Sequence, residues 1–311
     1  MAVFTPVSDG EAAAFLTGYD LGGLVSLTAI AEGVENTNYR LETGAGRKVL
    51  TLFEARTDAE SLPFCLGLTD HLAARGYPAA RPVPNRAGQW IGTLNGRPAA
   101  IVDWVQGAWL RAPTEPDFEA AGRALAELHL KAADFTGRRD NPVGPVQWRA
   151  LADRCATGVR TAEDRAILDG VEDALARLGD PLAEALPTGA IHADYFPDNV
   201  LFDAGAVSGV IDFYFGCTGL LAYDLAVAIS AWAFDGEGRV IDGAAAAFRS
   251  GYEAVRPLTP AEATALPQLG EAACIRFTLT RLHDRIFHDP ANLVTPKDPA
   301  AFYRRVAWWR A

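Results

Sequence analysis

In the first hundred residues the apolar positions come in short runs broken by glycine. Thr28 to Leu41 (T-A-I-A-E-G-V-E-N-T-N-Y-R-L) reads as a strand, a polar turn centred on Gly33 and a second strand. A third, Lys48 to Glu54 (K-V-L-T-L-F-E), follows the turn T-G-A-G. Such runs joined by tight glycine turns predict an antiparallel meander. A short helical pattern over 9–18 precedes them. The period then changes: Leu62, Leu66, Leu68 and Leu72 line one face of a helix predicted over 59–75, which Gly76 stops. Pro78, Pro82 and Pro84 exclude helix beyond it. Gln89 to Leu94 and Pro98 to Val105 predict two more strands, with Asn95-Gly96 as the hairpin turn between them.

Gly107, Pro113 and Pro116 mark a crossing into a half with helical periodicity. Thr114 with Asp117 resembles a capping box for a helix reaching Ala133, with Phe118, Ala121, Leu125, Leu128 and Ala132 inward. Thr161 and Asp164 open another, with Ile167, Val171, Leu175 and Leu178 in phase. A hairpin at 199–212 interrupts the helices. Leu220 to Phe234 and Val240 to Val255 follow as helices. Thr259 to Glu262 caps a helical tail that Pro267 is expected to kink or break. The order β-β-β-α-β-β followed by helices predicts an α+β fold. A sheet lobe over 1–105 and a helical lobe over 106–311 would leave a small-molecule cleft between them.

Composition narrows the class. Of the 311 residues, 50% are hydrophobic and 22% charged, enough apolar material for a large core and unlike a disordered chain. The net charge is −11 and no basic stripe appears, which argues against nucleic acid and anionic membrane as partners. The longest apolar stretch, Gly219 to Phe234, is short for a membrane span and contains Asp224. A carboxylate in so apolar a helix must find a partner, so Asp224 is expected to brace a loop or a helix start. Cys65, Cys155, Cys217 and Cys274 are far apart and form no C-x-x-C, so they read as buried thiols of a reducing compartment. Asp9 and Glu11 interrupt any leader-like apolar run, and a cytoplasmic location is expected.

The chemistry concentrates in 191–212. His192, Asp194, Asp198 and Asn199 lie within one loop, and two apolar strands then lead to Asp212. Hard cations such as Mg²⁺ take a few oxygen ligands and share substrate phosphates. One Asn and one Asp joined by a hairpin suit that role, and Asp194 upstream could take a proton from an incoming hydroxyl. Kinase-type sites divide phosphoryl transfer in this way. Asn and Asp also favour ordinary turns, but a plain turn does not require this conjunction of spacing, hairpin and I-D-F. His192 reads as a residue that holds the loop in shape, and Asp198 as either a brace or a substrate contact.

Other candidates stand further off. The turn from Glu32 to Asn38, with Gly33, Asn36 and Asn38, could cover phosphates, or be a plain hairpin. The third strand has no lysine inside it. Lys48 at its start or Arg56 after its end could meet the phosphates, with Glu60 as an acid partner. Asp103, Trp104 and Val105 could offer backbone groups and a ring face to a nucleotide base, Ile101 being another apolar candidate. Arg281 and Arg285 are one helical turn apart and could clamp a carboxylate.

The text H-A-D-Y-F-P-D-N-V-L-F (192–202) followed by V-I-D-F (210–213) resembles the phosphotransferase motif of the aminoglycoside phosphotransferase and choline kinase superfamily. The flanking text A-E-G-V-E-N-T-N-Y (31–39), L-P-F-C-L-G-L-T-D-H-L-A-A-R-G (62–76), G-R-P-A-A-I-V (96–102), I-D-F-Y-F-G-C-T (211–218) and T-R-L-H-D (280–284) is similar to the bacterial homoserine kinases built on that fold. The resemblance runs from Ala2 to about Phe302. It implies a bilobal protein-kinase-like fold, ATP as co-substrate, Asp194 as base, and Mg²⁺ on Asn199 and Asp212. It also implies homoserine as acceptor, in threonine biosynthesis. A kinase for another small alcohol or amino alcohol, and a nucleotide-binding protein without catalysis, are the competing expectations.

Overall fold

The computed structural model describes residues 4–30, 36–54, 58–183, 185–289 and 295–311. Two compact units share the chain: Met1–Gln106 with Gly209–Tyr214, and Gly107–Ser208 with Phe215–Ala311. Residues 31–35, Gly33 among them, and Arg56 lie outside the described residues.

In the first unit, helix α1 (Asp9–Leu16) precedes strands β1 (Leu24–Ala29), β2 (Thr37–Thr43) and β3 (Gly46–Leu52). Helix α2 (Leu62–Ala74) and strands β4 (Gly92–Leu94) and β5 (Arg97–Asp103) follow. The expected meander is present, antiparallel throughout, in the order β1-β2-β3-β5-β4. Strand β5 shows why its sequence is continuously apolar. Ala99 and Ile101 pack with Leu16, Tyr39, Leu41 and Leu50 on one face, and Ala100 and Val102 with Phe53, Leu62 and Leu66 on the other. Asn95 and Gly96 both take positive φ, 50° and 74°, the geometry that matches a two-residue turn to strand twist. The returning segment 209–214 is tied in by Val210, whose N–H donates to the Pro78 carbonyl at 2.7 Å. The Tyr214 ring meets Phe53 edge-on at 5.1 Å.

The second unit is mainly helical. It contains α3 (Glu115–Lys131), α4 (Pro145–Gly158), α5 (Ala162–Leu178), β6 (Thr188–Ile191) and β7 (Val200–Asp203). Strand β8 (Ala206–Val210), paired with β7, carries the chain back toward the first unit. Then come β9 (Cys217–Leu220), α6 (Leu221–Trp232), α7 (Ala244–Glu253), α8 (Pro260–Ile286) and α9 (Pro299–Arg310). Three departures from the sequence reading have physical causes. The apolar stretch from 219 begins as strand, because β9 pairs with β6, and only then turns helical; a buried strand and a buried helix look alike in a short apolar run. Helix α8 passes through Pro267 without ending. Pro267 is exposed, so its lost hydrogen bond falls on the solvent side. Helices α4 and α9 and strand β6 were not anticipated: β6 is only four residues long, while α4 and α9 bury Trp148, Ala152 and Cys155, and Phe302, Val306 and Trp309, at helical spacing.

Every residue of α6 is buried, Asp224 completely. Its Oδ2 accepts from the His192 N–H (2.8 Å) and from His129 Nε2 (3.0 Å), and its Oδ1 from the Ala193 N–H (2.7 Å). His129 on α3 then meets the Tyr252 hydroxyl on α7 at 2.8 Å through Nδ1. Arg256 joins Tyr252 (3.0 Å) to Glu262 (2.7 Å), and Glu262 caps α8 by accepting from the Thr259 N–H (2.9 Å). This chain of polar groups connects four helices to one loop. Burial alone would raise the Asp224 pKa. The hydrogen bonds from the His129 ring and from the His192 backbone N–H outweigh it and hold the carboxyl below its ordinary value.

Helices α3 and α7 touch backbone to backbone. A Cβ on Gly122 would lie 2.0 Å from the Phe248 carbonyl oxygen, and one on Gly251 2.0 Å from that of Glu119.

Gly251→Ala is therefore expected to cost about 3 kcal/mol of stability by forcing this crossing apart, measured by urea unfolding. Asp224→Asn is expected to cost about 2–4 kcal/mol at neutral pH, since an amide cannot accept all three donors. The depressed folded pKa fixes the pH window. The advantage of the wild type over Asp224→Asn should hold from about pH 7 to 5 and close below about pH 4, as the native carboxylate takes up its proton.

Candidate active site

Strand β6 delivers the chain into the loop at His192. There Ala193 adopts φ +60°, a left-handed conformation that costs an alanine about 1–2 kcal/mol. The loop is held from all sides. Asp224 takes the N–H groups of His192 and Ala193. Arg276 Nη1 donates to the Ala193 carbonyl. The Asp194 N–H donates to His192 Nδ1 at 3.2 Å, which leaves the ring hydrogen on Nε2. The Asp194 carbonyl accepts from the Phe196 N–H (2.8 Å) and from Asn199 Nδ2 (2.9 Å). Trp232 Nε1 donates to the Tyr195 carbonyl at 3.0 Å, and the Tyr195 hydroxyl donates to the Ala121 carbonyl at 3.1 Å.

Against this fixed backbone the Asp194 side chain keeps one face open to solvent. Burial of the rest pushes its pKa up, and Asp198 adds to the shift, while Arg276, His192 and Lys297 oppose it. A carboxylate raised in this way is a better proton acceptor than a free one. Asn199 Nδ2 also approaches Asp194 Oδ2 at 3.3 Å. With its nitrogen turned inward, Asn199 leaves Oδ1 as an oxygen acceptor of the kind that hard cations take. Among the described residues, no three His, Cys, Asp or Glu side chains gather into an all-protein metal cage.

The cations of α8 divide. Arg281 is stacked on Phe302 (4.4 Å) and donates to the Asp298 carbonyl (3.2 Å). Burial lowers its pKa to about 10, while Asp194, Asp298 and Asp198 pull the other way, so it stays charged at neutral pH. Arg285 is committed elsewhere, to Asp164 at the start of α5 and to Asp298 (3.3 Å). Both guanidinium groups thus reach Asp298, Arg281 at its carbonyl and Arg285 at its carboxylate. Asp198 is half exposed, with Lys297 Nζ 3.9 Å away.

Asp212 belongs to the first unit and has φ +64°, a second left-handed residue in the motif. Lys48 pairs across the sheet with Asp103, Nζ to Oδ1 at 2.6 Å, so its acid partner is Asp103 and not Glu60. Arg47 lies over the Trp104 ring at 5.1 Å, and Trp104 Nε1 has no acceptor among the described residues. Val105 next to it is partly exposed, whereas Ile101 is wholly buried in the core. Asn36 and Asn38 turn their amide oxygens inward, to the Glu54 N–H (3.1 Å) and the Thr51 hydroxyl (2.7 Å). Sequence reasoning passed over His129, and placed Arg276 in a polar burst on the last long helix without giving it a role. Arg276 had a signal: an arginine set in A-A-C-I-R-F-T-L faces the same demand for a partner as Asp224.

Comparison with known proteins bears on the reading. A model of the phosphotransferase enzyme family matches residues 26–258. The homoserine kinase of Brucella anthropi is 47% identical over 310 residues, covering 100% of this chain and 95% of that protein. That of Methylobacterium sp. is 48% identical over 311 residues, covering 100% and 96%. Among solved structures, amicoumacin kinase aligns with a TM-score of 0.71 at 14% identity, over 98% of this chain and 92% of the other. The microcompartment-associated aminopropanol kinase gives 0.67 at 24%, over 97% and 95%. The sheet and helices described above are thus the fold of a protein-kinase-like phosphotransferase. The chain belongs to the phosphotransferase enzyme family, and to the branch of it that these full-length relatives form.

Proposed function

We propose that the protein transfers the γ-phosphoryl group of ATP to the side-chain hydroxyl of L-homoserine, giving O-phospho-L-homoserine and ADP. The observation that carries this reading is the fixed loop that presents the Asp194 carboxylate, in a unit that also holds a ring-stacked Arg281 as a cation for the acceptor. The acceptor's hydroxyl would rest on Asp194, which takes its proton as the oxygen attacks phosphorus. Its α-carboxylate would be met by Arg281, a guanidinium being suited to planar two-point recognition. The relatives named homoserine kinase at 46–48% identity support the same acceptor. A choline-like cation would be repelled at this position.

Asn199 and Asp212 are assigned as ligands of Mg²⁺, which when bound neutralises charge on the phosphates. Lys48, Asp103, Trp104, Val105, Asn36, Asn38 and the turn at Gly33 are assigned to the nucleotide, and Asp198 to the rim of the acceptor site. Arg285 is assigned to holding α5 and the 298 region around Arg281. The reading places the enzyme in the cytoplasm, in threonine biosynthesis. Among the described residues no helix is long and apolar enough to cross a membrane.

ADP release measured with homoserine, choline and an aminoglycoside should be rapid only with homoserine; release with another alcohol and none with homoserine would overturn the assignment. Asp194→Asn should bind ATP normally and lose kcat by roughly 10²–10⁴-fold, and wild-type turnover there would remove Asp194 as base. Arg281→Met should raise KM for homoserine by roughly 10–100-fold and leave KM for ATP in place.

A further inference from the structure

The left-handed turn at Ala193 aims Asp194, yet alanine does not favour that turn. Two buried charges meet it. On one side Asp224 Oδ1 accepts the Ala193 N–H at 2.7 Å. On the other, Arg276 Nη1 donates to the Ala193 carbonyl. Arg276 is 2% exposed, and its guanidinium lies over the Phe277 ring at 4.1 Å and the Phe215 ring at 5.4 Å. Its Nε has no hydrogen-bond partner among the described residues. Burying a guanidinium with one donor left over is costly, and core filling alone is done better by a leucine or methionine. Besides the pull of its charge on the Asp194 carboxyl, the guanidinium donates to one peptide group, the one that joins Ala193 to Asp194.

We propose that Arg276 is a positioning residue for phosphoryl transfer, which with Asp224 clamps the peptide groups on either side of Ala193 and so fixes the direction of the Asp194 side chain. The two ions come from different helices, α8 and α6, and hold opposite ends of one residue. Ring stacking on Phe215 and Phe277 keeps the guanidinium from turning away. Phe215 closes the 3₁₀ turn Phe213–Phe215 that directly follows Asp212 in the chain. The inference rests on Asp194 being the base.

The test is a cycle of four proteins: wild type, Arg276→Met, Ala193→Gly and the double variant. Each is assayed for kcat and for KM of ATP, with folding checked by circular dichroism. Arg276→Met should lower kcat about tenfold or more while KM for ATP stays within about twofold, because a misaimed base affects the chemical step and not nucleotide binding. Adding Ala193→Gly to that variant should raise kcat again, by about tenfold, since glycine takes the left-handed turn without the steric cost that the clamp offsets. A merely structural arginine predicts no such recovery. Wild-type kcat in a folded Arg276→Met, or no gain from the added glycine, overturns the proposal.

Should Arg276→Met not fold, the same comparison is made in Arg276→Lys, and there too absence of a gain from Ala193→Gly overturns it. Failure of both to fold makes Arg276 a folding residue only and also overturns it. Asp194→Asn run alongside reports separately on the base. If that variant keeps its turnover, the assignment of Asp194 falls whatever the cycle shows.

Discussion

A carboxylate that is fully buried in an apolar helix has to be matched by donors, and much of the second unit is arranged around that requirement. Asp224 receives three N–H groups, two from the loop at 192–193 and one from His129. An ionised group in such a place is tolerated only when its lone pairs are taken up. The need runs outward. His129 requires Tyr252, Tyr252 meets Arg256, and Arg256 meets the carboxylate that caps α8. The loop is thus fixed by the interior of the unit and not by its own short sequence. Few alternative positions would satisfy all of these bonds at once, which gives the Asp194 side chain a rigid base.

Two aspartates near the same loop consequently behave in opposite ways. Asp224 has donors on both oxygens and stays below the ordinary carboxylate range. Asp194 is largely buried with fewer partners, and its pKa rises. Groups whose surroundings push them apart in this way divide into structural and reactive roles. The raised value also means that ionised Asp194 opposes folding above its native pKa, a cost absent below the unfolded value. The left-handed Ala193 adds backbone strain at the same point. Strain and an unfavourable charge at the reacting residue are offset by the satisfied network beneath it.

The sequence made the fold largely legible because the β region and most helices are locally marked. Asn95-Gly96 writes its turn in two residues, and Thr114, Thr161 and Thr259 announce their helices. Strand β6 was not legible: T-G-A-I is four residues long and acquires its meaning only from β9 across the sheet. The loop residues of the motif could be singled out by spacing, and Asp224 by its apolar setting. The partner of Lys48 could not, because Asp103 is 55 positions away and adjacent only through β3–β5 pairing. The same limit hid His129, whose neighbours on α3 give no hint that α6 and α7 converge on it. Arg281 and Arg285 look equivalent on a helical wheel, and only the position of Asp164 separates them.

The return of Gly209–Tyr214 to the first unit has a consequence for how the protein is made and how it could evolve. On the ribosome, the amino-terminal sheet can assemble early from its five strands, but the piece that carries Asp212 and packs Tyr214 on Phe53 emerges only after the first segment of the second unit, Gly107–Ser208, has been synthesised. A fragment ending near Gln106 would lack that piece and leave the Phe53 surface bare. Nor can a single crossover exchange one complete unit between relatives, because any breakpoint between them leaves six residues on the wrong parent. The hairpin therefore ties the inheritance of Asp212 to that of Asp194 and Asn199, although these residues lie in different units.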